Sequence, residues 1–187
     1  MARIKALSNT EADPKARPLL EAVGKKLGKT PNLMRTMANS PAVLEAYLGF
    51  SGALAKGALS ARLREQIALV VGEANRCDYC LAAHSALGRL AGLKDDEIAG
   101  SRRGATGDAK IDAALAFART VVVQRGVVSD EDLLALRSAG YGDGEIAEVV
   151  ANVALNIFTN YFNHIAATEV DFPQAAKLEP AAACVCG

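Results

Sequence analysis

The sequence predicts an all-α fold, and three features carry that prediction. Ala and Leu abound, whereas β-branched residues gather only in short runs such as Val121, Val122 and Val123. Helix starts and stops recur: Ser40 stands before Pro41, Ser60 before Ala61, and Gly92 follows Leu90. No alternation of strand and helix patterns appears, which argues against a thioredoxin-type βαβ arrangement.

The elements follow in order. Ser40 as N-cap and Pro41 at the first helical position open a helix over 41–55. Ser60 caps a second over 61–75, with a break expected around Gly72 and Asn75. A third runs over 77–90 and stops at Gly92 in a left-handed C-cap. Later helices are expected over 95–101, 110–124, 130–138 and 144–168, and Glu131 and Asp132 suit the positive end of the helix that begins at 130. Residues 1–30 read as an N-terminal arm, 31–173 as one helical domain, and 174–187 as a flexible C-terminal tail. The chain also echoes itself, either through an internal helical repeat or, for the first echo, through capping chemistry alone. "AGLKDDEIA" at 91–99 resembles "AGYGDGEIA" at 139–147, and Glu65–His84 has the same 19-residue spacing as Glu145–His164. In that second echo Cys77 and Cys80 correspond to Ile157 and Asn160.

Composition narrows the function classes. The 187 residues suffice to bury a core, and with 51% apolar and 22% charged residues the chain is globular. Basic and acidic residues balance at 21 each, so neither nucleic acid nor a membrane surface is an expected partner. Trp is absent, which disfavours an aromatic stacking platform. The first residues lack the apolar core of a signal peptide, and no apolar run reaches the roughly 18 residues of a membrane span. A cytoplasmic location is expected, where thiols stay reduced and a CxxC pair binds metal or cycles catalytically. The terminal "CVCG" matches a prenylation box poorly and is not read as one.

The chemistry concentrates in "NRCDYCLAAHS" at 75–85. On a helix, Cys77, Cys80 and His84 fall at about 0°, 300° and 340°, all on one face. Cys80 and His84 form an i,i+4 pair, so the imidazole can take the thiol proton and leave the reactive thiolate. The helix N-terminus favours the same ionisation. Cys77 is close enough to condense with an oxidised Cys80, and together they have the parts of a dithiol peroxidase. Other readings stay open. Structural zinc would find three ligands here and need a fourth from His164, Cys184 or Cys186. The thiols could also be a non-enzymatic redox switch, or core cysteines beside a satisfied histidine. A c-type haem site fails because Leu81 stands where its histidine should be.

The stretch "EQIALVVGEANRCDYCLAAH", with Glu65, Cys77, Cys80 and His84, resembles the signature of the alkylhydroperoxidase D (AhpD)-like proteins, grouped with carboxymuconolactone decarboxylases. The closing "NIFTNYFNHIAATEVDFP" is similar to the end of the peroxidase-related branch, so the likeness spans about 31–173. The resemblance implies a helical bundle assembling as trimers or hexamers. It implies thiol-dependent peroxide reduction, no tightly bound cofactor or metal, and an external dithiol donor of lipoyl or thioredoxin type. It makes Cys80 the attacking thiol, Cys77 the resolving thiol, and Glu65 with His84 a proton relay. Without it, Glu65 reads as a surface carboxylate near Arg62 and Arg64, and Glu73 competes for His84. Partnership of Glu65 with His84 needs a turn between them, since on one straight helix Glu65 lies about 120° from Cys77. Where the best-known branch has a second histidine before the attacking cysteine, this chain has Tyr79, which donates a hydrogen bond but is no base near neutral pH. Tyr79, Asn160, Tyr161 and His164 are candidate pocket residues. Cys184 and Cys186 are candidate exchange partners of the main pair.

Overall fold

The computed structural model describes residues 2–178 and is helical throughout: among the described residues there are nine helices and no strand. They are α1 (Arg17–Leu27), α2 (Asn32–Met37), α3 (Pro41–Leu54), α4 (Ala61–Ala74), α5 (Asp78–Leu90), α6 (Asp95–Arg103), α7 (Ala109–Val123), α8 (Asp130–Ser138) and α9 (Asp143–Ala166).

Local chemistry sets most of the boundaries. The Ser60 side chain accepts from the Leu63 N–H, and Asp108 accepts from the N–H groups of Lys110 and Ile111. Ser129 and Asp132 form a reciprocal capping box at the start of α8. The echo between 91–99 and 139–147 has this same local origin. Glu97 accepts from the Lys94 N–H and Glu145 from the Gly142 N–H, so each segment is an N-terminal capping device. The echo between Glu65–His84 and Glu145–His164 has no structural counterpart. The first pair spans two helices, whereas the second lies at opposite ends of α9, about 28 Å apart at 1.5 Å per residue.

Two helices arise where the sequence shows no strong signal. In α1, within the stretch read as an arm, Pro18 occupies the first turn, Leu20 and Val23 face inward, and Gly28 ends the helix at φ 72. α2 is short and buries Leu33, Thr36 and Met37. These segments cover the cysteine region: Ala12, Ala16, Leu20, Leu33, Met37 and Leu44 form one buried cluster with Cys77, Tyr79 and Cys80.

α4 is the centre of the bundle, packed by α5, α6, α7 and α9. A second, larger cluster joins Ile67, Val70 and Val71 of α4 to Leu115, Phe117, Leu136, Val149 and Val153. α4 carries inward-facing residues on nearly all sides, as a surrounded helix must.

Candidate active site

The turn between α4 and α5 assembles the site. α4 continues through Gly72, where a break was expected, and ends at Ala74. Gly72 instead faces α5: a Cβ there would come into ordinary contact with the Leu81 side chain at 3.4 Å and Cys80 Cβ at 3.7 Å. The reversal falls on Asn75 and Arg76, the latter in the left-handed region at φ 54. Cys77 follows as the N-cap of α5, and its sulfur accepts from the Cys80 N–H at 3.3 Å.

This reversal places Glu65 beside His84, with Glu65 Oε2 2.8 Å from His84 Nδ1. A carboxylate can only accept, so Nδ1–H donates and the Nε2 lone pair is left as the base. Both side chains are about one-fifth exposed. Glu73, the competing carboxylate, is taken by the buried Arg102, whose Nε donates to its Oε2 at 2.7 Å.

Cys77 and Cys80 are joined as a disulfide pair with Cα atoms 5.3 Å apart. Both are buried, at 1% and 2% exposure. Cys80, unlike Cys77, lines a small cavity of about 50 Å³ together with His84, Tyr47, Tyr79, Thr159 and Phe172. The rest of that wall is apolar and comes from α1, α2 and α5. A second cavity of about 180 Å³ lies against the other side of the Glu65–His84 pair and is walled by Arg64, Asn152, Asn156 and Thr159. His84 therefore lines both a mostly apolar pocket that holds Cys80 and a second, more polar one.

Tyr79 does not aim its hydroxyl at the sulfur. It donates to Asp171 Oδ1 at 2.8 Å and accepts from the Leu33 N–H at 3.0 Å. Burial, with the Asp171 charge adding to it, pushes its phenol well above the ordinary tyrosine range. Asp171 also accepts from the Asn32 N–H and pairs with Lys29. The next residue, Phe172, packs edge-on against Tyr79 at 5.9 Å and under the Lys29 ammonium at 3.6 Å. Residues 169–172 thus strap the C-terminal end of the helical chain over the thiol pocket.

The remaining candidates fall elsewhere. Asn160 is fully buried, and its Oδ1 accepts from Asn75 Nδ2 at 2.9 Å, buttressing the α4–α5 turn. His164 is exposed, and its Nε2 lies 3.0 Å from the Asn75 carbonyl. Tyr161 is 53% exposed on the outer face of α9. None of the three lines the Cys80 cavity. Among the described residues no group of three or more His, Cys, Asp and Glu is placed to hold a metal ion. Cys184 and Cys186 lie outside the described residues.

Sequence reasoning missed Tyr47, Thr159 and Phe172. Tyr47 lines both cavities, and burial with the nearby Glu65 charge pushes its phenol up to about 12, so it stays a neutral donor. Asn163 Nδ2 donates to Cys80 Sγ at 3.3 Å.

Comparison with known proteins agrees with this geometry. The model of the carboxymuconolactone decarboxylase family matches residues 41–122. The fold is similar to an AhpD core, that of an uncharacterized peroxidase-related protein from Ralstonia eutropha JMP134. There the TM-score is 0.82 at 26% identity, over 91% of this chain and 92% of that one. An uncharacterized peroxidase-related protein from Silicibacter sp. TM1040 is similar at TM-score 0.78 and 28% identity, over 95% and 97%. The debrominase Bmp8, solved with 2,3,4-tribromopyrrole, shares the fold at TM-score 0.79 and 22% identity, over 91% and 92%. No curated protein matches the chain. The bundle is thus AhpD-like. The family match and the two peroxidase-related structures support the AhpD-like carboxymuconolactone decarboxylase family for this chain.

Proposed function

We propose that this protein is a thiol-dependent peroxidase working through a Cys77–Cys80 dithiol/disulfide cycle. One observation carries the reading. A closely apposed cysteine pair shares a pocket wall with a histidine whose far nitrogen is pinned by a carboxylate. His84 Nε2 takes the Cys80 proton, and the thiolate attacks the terminal oxygen of a hydroperoxide. The O–O bond breaks, the alkoxide leaves with the proton from His84, and Cys80 becomes a sulfenic acid. The Cys77 thiol then attacks the Cys80 sulfur, the S–O bond breaks, water leaves and the disulfide forms. An external dithiol of lipoyl or thioredoxin type, in a reducing cytoplasmic compartment, supplies two electrons and two protons to restore both thiols.

Cys80 is the attacking thiol because it alone of the pair faces the pocket and has His84 one turn away. The assembly is a homo-oligomer, trimer or hexamer. Val150, Phe158, Tyr161 and Ile165 form an exposed apolar stripe along α9 that a second copy would cover.

The test is peroxide consumption with dihydrolipoyl and thioredoxin-type donors, together with sulfenic-acid trapping located by mass spectrometry. Cys77→Ser should react once and hold the adduct on Cys80, whereas Cys80→Ser should not react. An adduct on Cys77 in the Cys80→Ser protein would reverse the assignment. No peroxide-dependent oxidation of either thiol would end the peroxidase reading.

A further inference from the structure

We infer that Asn163 is a catalytic residue, the hydrogen-bond donor that holds the Cys80 sulfur as a thiolate and then receives the sulfenic acid. The inference rests on the peroxidase reading for the second of these roles. The first stands on geometry alone.

Asn163 is buried in the middle of the bundle at 4% exposure, and its Nδ2 donates to Cys80 Sγ at 3.3 Å. Its neighbours on α9 behave differently. Asn152 Nδ2 donates back to the Glu148 carbonyl, and Asn156 Nδ2 to the Asn152 carbonyl, each bonding one turn back in its own helix. Asn163 instead crosses to α5 and spends its N–H on a sulfur, a weak acceptor while protonated or oxidised but a strong one as a thiolate. A donor that strengthens its bond only when the sulfur is charged stabilises that charged form. Moreover, Asn163 Oδ1 is buried and has no hydrogen-bond partner. A buried acceptor without a partner costs stability, and in a packed interior such a group calls for an explanation.

The reaction cycle provides one. His84 shares the cavity wall with Cys80 and Asn163 bonds its sulfur, and their abilities differ: the imidazole can remove a proton, and the carboxamide, which does not titrate, only donates. After peroxide attack the sulfur bears a hydroxyl, a new donor absent from both the dithiol and the disulfide. The Oδ1 on the same planar carboxamide is the vacant acceptor at that place. Asn163 thus serves the thiolate through nitrogen and the sulfenic acid through oxygen. When Cys77 displaces the hydroxyl as water, the Oδ1 contact is released, while the Nδ2 contact to the sulfur persists in the disulfide.

The test reads the thiol directly. In reduced Cys77→Ser protein, the pH dependence of Cys80 alkylation by iodoacetamide is followed by peptide mass spectrometry, which separates Cys80 from Cys184 and Cys186. Asn163→Ala should raise the Cys80 pKa by about one unit, slowing alkylation about tenfold below that pKa. Asn163→Asp, nearly isosteric, places a like charge beside the sulfur and should raise it further. It carries the same readout should Asn163→Ala lose its helical circular dichroism. The lifetime of the trapped sulfenic acid should fall in both variants. Unchanged Cys80 titration in either folded variant overturns the inference, whether or not peroxide turnover survives. A raised pKa with no peroxide reaction in the parent protein would sustain the thiolate role and refute the peroxidase reading instead.

Discussion

Removing one oxygen from Tyr79 separates two roles for the residue beside Cys80. If the Tyr79 hydroxyl gave a proton to the reaction, Tyr79→Phe would cost the roughly 10²–10⁴-fold of a placed acid or base. The structure points to a different outcome, because the hydroxyl proton is already held by Asp171 and its lone pair by the Leu33 N–H. In the Phe variant the buried Leu33 N–H loses its partner, which costs about 1–3 kcal/mol. Asp171 loses one donor but keeps the Asn32 N–H and Lys29, and its side chain is 23% exposed, so water offsets part of that loss. A net destabilisation of about 2–3 kcal/mol is expected, a fall in Tm of about 5–10 °C for a domain of this size. Urea unfolding of the reduced protein measures it. Peroxide-dependent oxidation of Cys80, followed by stopped flow, should stay within about threefold of the parent. A double-mutant cycle with Asp171→Asn should show coupling of about 1 kcal/mol or more. Stability unchanged within about 0.5 kcal/mol, the scale of an ordinary surface substitution, would refute the anchoring role. So would a hundredfold loss of reactivity in a protein of native stability.

Two further outcomes follow from the same structure. Glu148 accepts from the Ala58 and Leu59 N–H groups, and these two bonds hold its carboxyl below the ordinary glutamate range. A lowered folded pKa contributes stability above the unfolded value, near 4.3, that is lost as the pH falls through the folded one. Glu148→Gln should therefore unfold more easily at pH 7, by less than about 1 kcal/mol because solvent screens this partly exposed carboxylate, with the gap closing as the pH falls. Urea titrations at neutral and acid pH check this, and a gap that widens in acid would contradict it. On α9, Phe158→Lys and Ile165→Glu should dissociate the proposed oligomer while leaving helicity intact. Light scattering at micromolar concentration decides it, and a parent protein that is already monomeric would dismiss the assembly.

What the sequence determined by itself was the local part of this protein. The cap at Ser60 and the stop at Gly92 depend on groups within a few residues of the bonds they satisfy, so the helices they bound were legible in a single pass. The shared face of Cys77, Cys80 and His84 was legible for the same reason, since it needs only helix periodicity. Tertiary structure decided the rest. Whether Glu65 or Glu73 meets His84 depends on how α4 and α5 fold back at Asn75 and Arg76, and on Arg102 claiming Glu73 from α6. Tyr79 was read as a donor near the sulfur, but its partner is Asp171, 92 residues away, brought there by the C-terminal strap. Asn163 reaches Cys80 across 83 residues, and nothing in its neighbourhood on α9 distinguishes it from Asn152 or Asn156. Periodicity says which face a side chain occupies, and it is silent about which distant element that face will meet. The partner is chosen by the packing of the whole core.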